Sequence, residues 1–142
     1  WAFMGEKLAE RPWLGYGFAS FWGTDMVTLS DQPFDRAWDI RGIVHGHNTY
    51  LDLAITMGLP ALLVALIVFI LLPLGDFLRT PLLKENVLLS EYFLMIASFA
   101  LLNGFLESFF FRRADPMWLL FVFALLGLRL TARFPISVRS VR

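Results

Sequence analysis

The sequence predicts an all-α integral membrane protein, a helical bundle of about three transmembrane helices preceded by an outer loop region with an interfacial helix. Of its 142 residues, 58% are hydrophobic and only 17% are charged, which is the balance of a membrane chain. Mean hydropathy is +0.65. The net charge is zero and no basic run is present, so we expect no nucleic-acid partner. Cysteine is absent, which removes disulfide and thiolate chemistry.

Three apolar segments are predicted to span the membrane, at about 49–75, 87–106 and 116–132. The first has no charged residue between Asp52 and Asp76. At about 1.5 Å per residue, such a helix covers a hydrocarbon core of about 30 Å. Pro60 lies inside it and predicts a kink, because proline cannot donate a hydrogen bond to the carbonyl of Thr56.

Basic residues predict the orientation of these spans. They cluster after the first span and after the third, at Arg79, Lys84, Arg129, Arg133, Arg139 and Arg142. The positive-inside tendency makes that side cytoplasmic and places the N-terminal region and the loop 107–116 on the outer side. Arg112 and Arg113 lie in that outer loop against the tendency, which predicts a specific role for them there.

The predicted domain division lies between residues 47 and 48. Residues 1–47 form an outer, interfacial loop region that begins with a short amphipathic helix ended by Pro12, and residues 48–142 form the transmembrane region. Gly15-Tyr16-Gly17 lacks the third glycine and the βαβ setting of a dinucleotide site and predicts a tight turn. The chain begins at Trp1 without a signal peptide, so we expect it to follow further N-terminal helices in a longer protein.

The segment VHGHNTYLDLAITMGLPALL (44–63) joins titratable residues to the first span. Asn48 is a suitable N-cap, so the helix is predicted to begin at Thr49. On a helical wheel His47 shares a stripe with the small residues Ala54, Gly58, Ala61 and Ala65. Small residues let membrane helices approach closely, so His47 is predicted to face protein or a wet cleft and not lipid.

Two interpretations of the histidines remain open at this point. His45 and His47 would bind a metal only with a third ligand such as Asp52, and we expect neither metal nor cofactor. His47 could instead be a loop residue that only caps the helix, or it could act as a base near neutral pH.

Arg36, Arg41, Glu107 and Arg112 are predicted on the same outer side. Arginines and a helix N-terminus both favour phosphate, so a lipid-linked phosphate substrate is indicated. Glu107 could equally be a solvated helix end or the partner of Arg112.

Three stretches resemble the O-antigen ligase and O-antigen polymerase family. His47-Asn48 is followed after nine residues by Gly58-Leu59-Pro60-Ala61, similar to the family's histidine, polar residue and Gly-x-x-Gly pattern, with alanine for the last glycine. ERPWLGYGFASFW (10–22) resembles the segment before the large outer loop in the exopolysaccharide-production branch. Glu107-Ser108 with Trp118 is similar to a further segment of that branch. The chain would be the C-terminal part of such an enzyme.

The resemblance implies a glycosyltransferase of the bacterial inner membrane, active at its periplasmic face without a metal. The donor would be an undecaprenyl-pyrophosphate-linked glycan and the acceptor a glycan or lipid hydroxyl, with membrane lipid around the spans. His47 would activate the acceptor. Arg41, with Arg36 second and Arg112 in addition, would bind pyrophosphate. Tyr50 or Trp38 would stack on sugar, and Asn48 and Glu107 would complete the substrate site.

Two functions of other classes remain as alternatives. One is a non-catalytic membrane subunit for polysaccharide transport or assembly, whose outer loop binds an anionic ligand. The other is a metal-dependent membrane hydrolase, which would lose activity with a chelator. Ligase and polymerase share the pattern and differ in acceptor, so the sequence supports both.

Overall fold

The computed structural model describes residues 1–29 and 39–136, and in these ranges the chain forms helices and no strand. The helices are α1 (Ala2–Glu10), α2 (Asp25–Thr28), α3 (Thr49–Leu66), a π-helical turn (Ile67–Leu71), α4 (Leu72–Leu78), α5 (Lys84–Asn103) and α6 (Pro116–Arg133). The predicted all-α class is confirmed. So is the short N-terminal helix, which ends before Pro12.

Three helical segments within the described residues are long and apolar enough to cross a membrane, namely Thr49–Leu78, Lys84–Asn103 and Pro116–Arg133. The chain is therefore a multi-pass membrane protein. The second span begins and ends three residues earlier than predicted. The helix α5 runs from Lys84 to Asn103, whereas the predicted span was about 87–106. The first turn of α5 contains the charged residues Lys84 and Glu85, which the hydropathy pattern places outside an apolar span.

The chain divides into two compact units, one of Trp1–Val64 with Gly104–Phe110 and one of Ala65–Asn103 with Phe111–Arg142. The first unit joins the N-terminal region to the start of α3 and to the loop after α5. The division into 1–47 and 48–142 concerned location relative to the membrane, and it stays a prediction.

The first helix of the first span is interrupted at Gly58. Gly58 has φ 84° and ψ 169°, which is far from helical and is a conformation that glycine alone adopts readily. The kink had been predicted from Pro60. Its centre lies two residues earlier, because Pro60 only removes one hydrogen-bond donor, whereas Gly58 supplies the backbone freedom for the turn.

The backbone groups near this break bond to residues 12–17, and we call these paired stretches, 12–17 and 55–59, the clasp. The amide of Leu59 donates to the carbonyl of Pro12 at 2.8 Å. The amides of Tyr16 and Gly17 donate to the carbonyls of Ile55 and Thr56 at 2.9 and 2.7 Å. The clasp therefore satisfies polar backbone in an apolar segment, where an unpaired group would cost several kcal/mol, of order 2–7.

Glycine is required on both sides of the clasp. A Cβ on Gly15 would lie 2.5 Å from the carbonyl oxygen of Ile55, and Gly15 has φ 62°. A Cβ on Gly58 would overlap the carbonyl of Trp13. Gly15 and Gly58, which belong to two separate sequence motifs, therefore both permit the close backbone contact of the clasp.

The first unit has an apolar core built by α1, the aromatic segment 16–22 and the start of α3. Its buried residues are Phe3, Met4, Phe21, Val27, Ile40 and Ile55. Phe21 and Ile55 are fully buried. Trp22 packs against this core and donates its indole N–H to Asp52 at 2.7 Å. The core thus fixes the beginning of α3 in the first unit.

The second unit is organised by close packing of α5 on α6. Gly127 of α6 faces the ring of Phe93, and a Cβ there would lie 2.5 Å from ring atoms. Asn86 of α5 exchanges two hydrogen bonds with the backbone of Ile136, at 3.1 and 2.8 Å. The α6 helix begins with Pro116 and is capped by the carboxylate of Asp115, which accepts from Met117 and Trp118.

Candidate functional site

The loop that carries both histidines is held by hydrogen bonds to both backbone groups of Gly46. The amide of Gly46 donates to the carboxylate of Asp52, at 2.9 and 3.0 Å to its two oxygens. The carbonyl of Gly46 accepts from the indole N–H of Trp1 at 2.9 Å. A Cβ on Gly46 would clash with the side chain of Met4. The histidine loop is therefore fixed in place by the first unit.

His47 has a left-handed backbone conformation, with φ 50°. Such conformations are uncommon for residues other than glycine and cluster at functional sites. Two histidines separated by one residue do not share a helix face, but this turn brings the rings of His45 and His47 to 4.1 Å between centroids. His45 is a loop residue, and the structure places its ring beside that of His47.

The His47-Asn48 pair meets the Glu107-Ser108 pair residue by residue. Nδ1 of His47 lies 3.3 Å from Oε2 of Glu107. The backbone amide of Asn48 donates to the hydroxyl of Ser108 at 3.0 Å. The His47 and Glu107 side chains remain 59% and 53% exposed, so a dissolved or lipid-linked group can reach them. These are two of the three segments that suggested the family resemblance, and they contact each other.

Asn48 caps α3 as predicted. Its side-chain oxygen accepts from the amides of Tyr50 and Leu51 at 3.1 and 3.0 Å. The residue is buried. Its contacts fix the direction in which α3 leaves the histidine loop, whereas its predicted part in substrate binding stays a prediction.

Thr49 joins the start of α3 to the loop after α5. Its amide donates to the carbonyl of Gly104 at 2.8 Å. Its buried hydroxyl accepts from the amides of Phe109 and Phe110 at 3.1 and 3.0 Å. Thr49 therefore positions the segment that presents Glu107 to His47.

Replacement of Thr49 by valine is expected to destabilise the protein by about 1–3 kcal/mol, because the buried hydrogen bond from Phe109 and the part-buried one from Phe110 lose their acceptor. Thr49→Ser keeps the hydroxyl and is the matched control, expected to retain most of the stability. The measurement is the thermal unfolding midpoint of both variants in the same detergent. Equal midpoints for valine and serine would contradict the role assigned to the hydroxyl.

Of the predicted pyrophosphate-binding arginines, Arg41 lies in the first unit together with His47. Arg41 bonds to Asp39, with its Nη2 2.6 Å from the carboxylate. This contact lowers the pKa of Asp39 to about 2 and raises that of Arg41. An incoming phosphate would therefore compete with Asp39 for the guanidinium. Arg36 lies outside the described residues, and Arg112 belongs to the second unit.

Tyr50 is the second residue of α3 and lies half-buried among aromatic rings. Its ring centroid is 4.8 Å from that of Phe105 and 5.7 Å from that of Phe110. Trp38, the other predicted stacking residue, lies outside the described residues.

The donor atoms of His45, His47 and Glu107 all lie within 4.8 Å of one another. Asp52 was one possible third ligand for a metal, but its carboxylate accepts hydrogen bonds from Trp22 and Gly46 and is a structural group. Glu107 is distant in sequence, so only the contact between the two segments makes it the third donor.

The fold and this site define a class: a multi-pass helical membrane protein with a polar histidine–carboxylate site in front of an apolar span. Over residues 1–66 the chain matches the family model described as O-antigen ligase. That range contains α1, the clasp, both histidines and all of α3. The match confirms the family resemblance and supports a membrane glycosyltransferase-like role. No curated protein and no solved structure matches the chain.

Proposed function

We propose that this chain carries the base of a membrane glycosyltransferase of the O-antigen ligase or polymerase type. The donor is an undecaprenyl-pyrophosphate-linked glycan, and the acceptor is a hydroxyl of a glycan or lipid at the periplasmic face of a bacterial inner membrane. The observation that carries the proposal is the contact of His47 with Glu107, held in a fixed loop directly before an apolar span.

The proposed chemistry is one inverting displacement. His47 removes the proton of the acceptor hydroxyl as its oxygen attacks the anomeric carbon of the donor sugar. The bond from that carbon to pyrophosphate breaks, and undecaprenyl pyrophosphate leaves with the bonding electron pair. Glu107, 3.3 Å from Nδ1, stabilises the imidazolium that forms and orients the ring so that Nε2 meets the acceptor.

Pyrophosphate needs positive charge as it departs, and arginines supply it with forked donors. Arg41 is the first candidate because it lies in the first unit together with His47, and Arg36 and Arg112 follow. When pyrophosphate arrives, Arg41 exchanges Asp39 for a phosphate oxygen. Tyr50 offers its ring to a sugar.

The test is glycosidic bond formation by the purified full-length protein in lipid nanodiscs, with a labelled lipid-linked donor and an acceptor glycan. We expect a product in which label and acceptor are covalently joined, together with released undecaprenyl pyrophosphate. A transport or assembly subunit would move the donor across a proteoliposome membrane without forming that bond. Such flux without product would refute the transferase.

A metal-dependent hydrolase is the second candidate, and the His45, His47 and Glu107 donors give it a structural basis. Such a hydrolase would release free glycan from the donor, and a chelator would abolish this activity. Transfer to acceptor that continues in chelator distinguishes the proposed transferase from it.

A further inference from the structure

We propose that His45, His47 and Glu107 form a binding site for a divalent cation of the Zn²⁺ class, and that the bound cation inhibits transfer. The three donors come from two segments about sixty residues apart, brought within 4.8 Å of one another. Two imidazoles and a carboxylate are a ligand set that zinc takes with three protein ligands and one open position.

The spacing of the donors suits such an ion. Two ligands of a tetrahedral zinc with bonds of about 2.0–2.2 Å lie roughly 3.3–3.5 Å apart. Nδ1 of His47 and Oε2 of Glu107 are 3.3 Å apart. The ring of His45 lies 4.1 Å from that of His47 between centroids, and the donor atoms of all three residues lie within 4.8 Å of one another.

The backbone under the three ligands is already ordered, which lowers the entropic cost of binding. Gly46, between the histidines, is bonded at both its amide and its carbonyl, to Asp52 and Trp1. Ser108, next to Glu107, accepts from the amide of Asn48, next to His47. The exposure of His47 and Glu107 leaves an entry path from solvent.

Inhibition follows from the way an imidazole binds a metal. A neutral imidazole that ligates through Nδ1 keeps its proton on Nε2, so it has no lone pair with which to accept the acceptor's proton. The bound cation also neutralises Glu107 and occupies the space next to the acceptor. The inhibition rests on the proposed function of His47 as the base, whereas the binding of the cation does not.

Binding is tested with Co²⁺, whose visible absorption reports a protein site of low coordination number, on the full-length protein in nanodiscs. We expect a saturable spectrum in the wild type that is lost in His45→Ala and in Glu107→Gln. Glu107→Gln is isosteric and removes the charged ligand. An identical Co²⁺ spectrum in the wild type and both variants, or none in the wild type, overturns the site.

Inhibition is tested by titrating Zn²⁺ into the transfer assay and reversing it with EDTA. Each variant is compared with its own activity in chelator. Loss even of an outer partner of a metal ligand costs about 10–100-fold in affinity. The half-inhibitory concentration of Zn²⁺ should therefore rise at least tenfold in His45→Ala. Equal sensitivity of the wild type and His45→Ala overturns the inhibition by this site.

The two proposals fail in different ways. No Co²⁺ binding in a protein that still needs His47 for transfer removes the metal site and leaves the transferase. Co²⁺ binding that depends on His45 without inhibition by Zn²⁺ overturns the inhibitory role and also contradicts His47 as the base. Transfer that EDTA abolishes overturns inhibition as well, because the metal would then be required.

Discussion

Replacing His47 by asparagine is expected to reduce glycan transfer by about 10²–10⁴-fold, the usual contribution of a general base. Asparagine is the sharper substitution, because His47 has φ 50° and asparagine tolerates that conformation better than other residues. The loop, with Gly46 bonded to Asp52 and Trp1, should keep its shape. The loss should therefore appear in kcat, with donor binding little changed.

The matched control is His45→Gln, which removes an imidazole two residues away. We expect it to lower transfer by less than tenfold when the assay contains EDTA. His47→Ala should be as inactive as His47→Asn, and His47→Asn should unfold at a temperature close to that of the wild type. Transfer retained by His47→Asn, or equal losses in His45→Gln and His47→Asn, would show that His47 is not the base.

Replacing Gly58 by alanine is expected to lower the free energy of unfolding by about 3 kcal/mol or more. The backbone of Gly58 has φ 84°, a region that costs other residues about 1–3 kcal/mol. A Cβ would also overlap the carbonyl of Trp13, and such overpacking costs about 1–3 kcal/mol more. Leu59 would then lose Pro12 as its acceptor.

Gly75→Ala is the matched control, because Gly75 lies in α4 and an added Cβ would meet nothing within 4 Å. It should be neutral or stabilising by about 0.5–1 kcal/mol. The variants are compared by their thermal unfolding midpoints, measured in the same detergent. Gly15→Ala should resemble Gly58→Ala, and the double variant should lose less than the sum, since both act on one contact. Similar midpoints for Gly58→Ala and Gly75→Ala would refute the requirement for glycine.

The helical class and the spans could be predicted because they depend on local properties. Length, hydropathy and the cap at Asn48 placed the start of α3 correctly. Of the predicted stripe of small residues, Ala54, Gly58 and Ala65 are buried, whereas Ala61 is half-buried. The position of the break could not be derived from Pro60 alone. It depends on a partner, residues 12–17, that is distant in sequence and supplies hydrogen bonds.

The candidate site could be predicted only in part. The sequence singled out His47 and Glu107, but their contact depends on Thr49 and Ser108, which dock one segment on the other. His45 was undervalued because residues two apart do not share a helix face, whereas in this loop its ring lies 4.1 Å from that of His47 between centroids. Asp39, only two residues from Arg41, was a readable signal that this arginine has a partner.

The clasp also bears on how such a protein can diverge. It ties residue 17 to residue 56, so the chain between them leaves the clasp and returns to it. Closing a flexible loop becomes only about 0.6 kcal/mol more costly when its length doubles. Insertions in this part of the chain that leave its core residues in place are therefore tolerated without displacing the histidine loop from the start of α3. Evolution can lengthen or exchange that part of the chain and so change which ligand it recognises, while His47 keeps its position at the start of α3.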